Sequence, residues 1–153
     1  MKAVLISLVL FFSVHAEWES SVNQDPITDD VVRLITSFSE SGHELWADIL
    51  FVRVDEYSGQ QYMILGFLTN SLVTGNIECI ARVDDRQPLL YDLEYVDQLN
   101  ALLFSDRVTA GLFDELLASN QFVIRFDTED GKTITLIFSL QGMTQAAREA
   151  GII

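Results

Sequence analysis

Apolar and polar positions alternate through much of this chain, and the alternation predicts a β-rich protein. The clearest stretch is "QFVIRFDTEDGKTITLIFSL", from Gln121 to Leu140. Phe122, Ile124 and Phe126 share one face, Ile134, Leu136 and Phe138 share the returning face, and Asp130-Gly131 supplies the backbone angles of a tight turn. Earlier, strands from Trp46 to Asp55 and from Gln61 to Thr69 flank a turn through Ser58-Gly59. Leu50, Val52 and Val54 lie on one side of the first, Phe51 and Arg53 on the other. Glu78 to Val83 and Leu89 to Glu94 complete the set, separated by a sharp break from Asp84 to Pro88.

Helical spacing intervenes in three places. Val31, Leu34, Ile35 and Phe38 recur at helical intervals after Thr28, which can cap them, with Asp29 and Asp30 in the first turn and Ser41-Gly42 as the stop. An extended segment is the alternative there. Leu112, Phe113, Leu116 and Leu117 predict a helix from about Ala110 to Ser119, capped by Thr109 and stopped at Asn120. Gly142 then releases the last strand into a short helix, Thr144 to Ala150. Val96 to Phe104 has no clear period. Strands joined mostly in hairpins imply a mainly β (α+β) fold: a single antiparallel β-sandwich or partly open barrel with two or three short helices.

The first residues stand apart from this pattern. Lys2 is followed by an apolar run from Ala3 to Val14 and then by Val14-His15-Ala16, with small or modest residues at the positions a signal peptidase reads. The run is too short for a bilayer span, which needs about 20 residues. Residues 1–16 therefore read as a signal peptide, and 17–153 as one β-rich domain with a loose polar arm over 17–26. The expected destination is the periplasm or the exterior, with no membrane insertion after cleavage.

Charge narrows the partners. Once Lys2 is removed, 8 Lys and Arg face 23 Asp and Glu, a formal net charge of −15. Phosphate backbones are repelled by such a surface, so nucleic acid is excluded as a partner. A protein partner is expected, and a basic one suits the charge. Cys79 is the single cysteine, so no intramolecular disulfide can form, and its strand-like surroundings predict a buried thiol, with an intermolecular disulfide or a reactive thiol as the alternative.

The chemistry of known enzyme classes is mostly missing. His43 is the sole histidine of the mature chain, and no G-x-S-x-G elbow accompanies a serine. One His and one Cys cannot build a zinc site. No cofactor is expected. Calcium is the one ion that the acidic loops Asp84-Asp85 and Asp127 to Gly131 suit by ligand type, although neither has EF-hand spacing. Recognition falls to aromatic and acidic side chains near turns, and Tyr57, Tyr62, Asp84, Asp85, Tyr91 and Tyr95 are the candidate interaction surface.

The ending resembles a known pattern. Phe138-Ser139-Leu140-Gln141-Gly142-Met143 followed by Ala146-Ala147 is similar to the C-terminus of the invasion-associated locus B family and of the periplasmic accessory proteins of type VI secretion. The likeness covers about thirty residues from the Phe122 strand onward. Both families generally carry paired cysteines, where this chain has only Cys79. The resemblance implies a non-enzymatic envelope protein and carries over no functional residue. Residues and resemblance together give an exported binding or accessory protein of the bacterial envelope. The alternatives are an inhibitor or immunity-type protein that neutralises a basic partner, and a small secreted hydrolase using carboxylates.

Overall fold

Ser58 and Gly59 both take positive φ, 50° and 75°. A two-residue turn of that hand matches the twist of the strands it joins and fixes their register. The computed structural model describes residues 18–40, 48–71, 73–99 and 101–153. Its strands are β1 (Glu19–Gln24), β2 (Val31–Phe38), β3 (Ile49–Tyr57), β4 (Gln60–Leu68), β5 (Ile77–Val83), β6 (Leu89–Val96), β7 (Ala101–Phe104), β8 (Gln121–Asp127) and β9 (Thr133–Ser139). Helix α1 (Asp106–Leu117) lies between β7 and β8, and α2 (Met143–Glu149) follows β9. The described strands form one nine-stranded antiparallel sheet in the order β1-β2-β3-β4-β7-β6-β5-β8-β9.

That sheet curls without closing, as a partly open barrel does. The Phe67 ring of β4 sits 5.6 Å from Phe126 of β8, although β7, β6 and β5 separate those strands in the sheet. At the seam, the Glu40 amide just past β2 donates to the Ile137 carbonyl at 2.7 Å, and the Trp18 indole donates to the Ser139 carbonyl at 2.9 Å. Helix α2 lies against β1 and β2 near that gap. Arg33 reaches from the inner face of β2 to the Ala150 carbonyl at 3.1 Å, where a cation meets the negative end of α2. Both helices contribute to the core that the sheet encloses, through Leu112, Phe113 and Leu116 of α1 and Met143, Ala146 and Ala147 of α2.

Three sequence expectations are corrected. The segment read as a loose arm, 17–26, contains edge strand β1, paired in register with β2 from Glu19↔Thr36 to Gln24↔Val31. The segment read as a helix after Thr28 is β2, a strand rich in β-branched residues held between β1 and β3. Its apolar residues fall on both faces, Ile35 inward and Val32 and Leu34 outward, which disguised the alternation. Helix α1 begins earlier than its spacing suggests, with Ser105 and not Thr109 at its cap position; buried Thr109 instead donates back to the Ser105 carbonyl at 3.0 Å. The signal segment and His43 lie outside the described residues.

Candidate functional site

On the outer face of β5 and β6, antiparallel pairing sets Glu78 directly opposite Asp92. Two residues along β6, Glu94 points to the same side because strand side chains alternate. These carboxylates line a groove of about 490 Å³ with Asn76, Ile77, Leu93 and Ser105, and among the described residues no Lys or Arg lines it. Asn76 fixes one end by accepting the Tyr95 amide at 2.9 Å. Like charges directly opposite on neighbouring strands cost stability, by roughly 0.2–1 kcal/mol. A groove so lined attracts cations and basic side chains.

The residues singled out from sequence are scattered over the molecule. Tyr57 and Tyr62 do meet, with ring centroids 6.4 Å apart at the β3–β4 turn, and both are exposed. Their hydroxyls are engaged: Tyr57 donates to Asp55 at 3.1 Å and Tyr62 to Gln60 at 2.6 Å. Tyr91 and Tyr95 are half-buried and pack inward on the core, Tyr91 edge-on to Phe104 at 5.4 Å. Asp84 sits in the β5–β6 turn with φ 50°, and its carboxylate accepts the Asn120 and Gln121 amides at 2.9 Å each. Those two hydrogen bonds, helped by Arg86, hold its carboxyl below the usual carboxylate range. Asp84 therefore ties two loops together, while Asp85 beside it is exposed. Glu78, Asp92 and Glu94 went unremarked in the sequence, because each is an ordinary outward residue until the register brings them side by side.

Ion chemistry in the acidic loops follows the same local logic. Asp130 accepts from Thr128 and pairs with Lys132 at 3.4 Å, and Asp127 accepts from Thr133 at 2.7 Å. Among the described residues no group of three or more His, Cys, Asp or Glu is arranged to hold a metal ion. No helix among them is long and apolar enough to cross a membrane.

Cys79 is 1% exposed on the inner face of β5. Burial, with Glu78 and Asp92 adding repulsion, pushes its thiol up to about 12. The thiolate is the reactive form. In the native protein at pH 8, a thiol reagent such as DTNB should therefore titrate no sulfur over an hour, and one equivalent after guanidinium is added. Rapid labelling of the native protein would place Cys79 at the surface.

No family model matches the chain, and no curated protein matches it significantly. A fold likeness does exist. The crystal structure of invasion associated protein B from Bartonella henselae superposes with a TM-score of 0.55, covering 90% of this chain and 94% of that one at 12% identity. At that identity the likeness concerns the fold.

Proposed function

We propose that this chain is an exported, non-enzymatic binding or accessory protein of the bacterial envelope, whose acidic groove receives a basic segment of a protein partner. The likeness to an invasion-associated protein supports the envelope setting through the fold. The observation that carries the reading is the Glu78↔Asp92 pair extended by Glu94 in a groove that no Lys or Arg lines among the described residues. That repulsion lowers stability and builds no part of the core, so it is best accounted for as a binding feature.

The test compares the mature protein with a Glu78→Gln, Asp92→Asn, Glu94→Gln variant as bait for the envelope fraction, with crosslinking and mass spectrometry. The wild type should capture one dominant basic partner at low salt and lose it near 1 M salt, where screening reaches about 3 Å. The variant should capture none while melting at the same temperature or a few degrees higher, since repulsion has been removed. Capture of the same partner by the variant, or no capture by the wild type, overturns the reading.

A further inference from the structure

The outward side of β5 changes character along its length. Arg82, Ile80 and Glu78 are all exposed on that side, so a cation, an apolar side chain and a carboxylate follow one another about 6.8 Å apart. Strand β6 repeats the last two steps. Register sets Leu90 opposite Ile80 and Asp92 opposite Glu78, and Glu94 comes next along β6. Ile80 keeps 44% of its surface exposed and Leu90 63%. The stem of a long cationic neighbour can cover such a pair. Arg125 of β8 stands beside Ile80 in register, but it donates to the Thr135 hydroxyl of β9 at 3.3 Å, on the side away from Leu90. An apolar pair therefore lies open one row beyond the carboxylates that line the groove.

On the reading of the groove given above, we infer that the basic segment it receives also carries an apolar side chain, two residues from its nearest cation in an extended chain, which packs on Ile80 and Leu90. Alternate side chains of an extended chain stand about 6.8 Å apart, the same repeat as the rows on the sheet. A segment lying along β5 and β6 thus sets its cations over Glu78, Asp92 and Glu94, and the next side chain on that face falls on the apolar pair. Charge fixes the direction. The opposite placement brings cations towards Arg82 and Arg125, so the apolar position lies on the Arg82 side of them. A wholly basic segment would leave the pair in water. A wholly apolar one would cover the carboxylates without giving them counter-charges, which costs free energy. Only the mixed segment satisfies both rows, the carboxylates supplying orientation and the apolar contact a gain that salt does not screen.

Two peptides of one composition, blocked at both ends to remove terminal charge, test this when titrated into the mature protein and followed by the NMR shifts of its backbone amides. Arg-Thr-Arg-Thr-Leu carries its leucine on the same face as its arginines when extended, and Arg-Leu-Arg-Thr-Thr carries it on the other. The first should bind about tenfold tighter at low salt, with shifts at Glu78, Ile80, Leu90 and Asp92. Ile80→Thr combined with Leu90→Thr should bring the first peptide down to the affinity of the second and leave the second unchanged. Both sites are exposed, so the melting temperature should hold; the two peptides on the wild type carry the comparison if the variant does not fold. Equal binding of the two peptides, or a preference that survives the threonine variant, overturns the inference while the groove keeps its basic segment. Binding of neither peptide up to about 10 mM overturns the inference and the reading of the groove together. Undiminished binding to the Glu78→Gln, Asp92→Asn, Glu94→Gln variant does the same.

Discussion

Phe67→Ala is expected to cost about 4 kcal/mol of stability. The ring is fully buried and lies 5.6 Å from Phe126 and 6.5 Å from Phe104, so it bridges β4 to β8 across the interior as well as to β7 beside it. Phe104 in turn stands 6.1 Å from Phe122. Truncating Phe67 removes transfer energy and leaves a cavity where β4 and β8 face each other across the interior of the curled sheet. The surrounding side chains belong to strands fixed by their own ladders, so they cannot collapse to fill it. Domains of this size are stable by about 5–15 kcal/mol, and the loss should lower the melting temperature by roughly 15 °C. Phe67→Leu should cost about 1.5 kcal/mol, since most of the volume returns. Chemical denaturation of the three proteins measures the difference. A loss under about 1 kcal/mol for Phe67→Ala would mean that β4 and β8 do not share one core.

How much of this was legible in the sequence depends on how many faces each strand buries. The β8–β9 hairpin could be read almost residue by residue, because Phe122, Ile124 and Phe126 point inward while Gln121, Arg125 and Asp127 face water. Strand β5 yielded for the same reason. Strand β2 failed because Val32 and Leu34 are apolar on its outer side as well as Ile35 on its inner side, and a two-faced apolar strand has the composition of a helix stripe. Strand β1 failed differently: all six of its residues are exposed, so hydrophobicity carried no signal and pairing with β2 alone defines it. Both failures fall on the half of the sheet whose outer face is apolar or whose edge is polar. The acidic groove is a product of register. Glu78 and Asp92 become neighbours only through the length of the β5–β6 turn, a quantity that alternation does not encode.

Gly66→Ala is the companion test on the outer face of the same strand, and it is expected to cost about 3 kcal/mol. A glycine inside a strand sacrifices about 1 kcal/mol of backbone entropy, so its presence needs a steric cause. A Cβ built at Gly66 would stand 2.5 Å from the Leu102 carbonyl oxygen, 2.6 Å from a Leu103 methyl and 3.1 Å from the Phe51 ring. The Leu103 methyl can rotate aside. The Leu102 oxygen cannot, because it is backbone of the neighbouring strand β7 and moves only if the β4–β7 pairing opens. Phe51 is only 7% exposed although it points away from the core, since its ring lies over the bare glycine opposite it. A methyl group there therefore attacks a ladder and a packed ring together. Leu103→Ala placed in the Gly66→Ala background should recover less than half of the loss, because relieving the side chain leaves the carbonyl clash in place. Full recovery in the double variant would assign the clash to Leu103 alone and would contradict the close approach of the Leu102 carbonyl to Gly66. Valine at position 66 should prevent folding, because its two extra methyls must enter the space that Phe51 and Leu103 already fill.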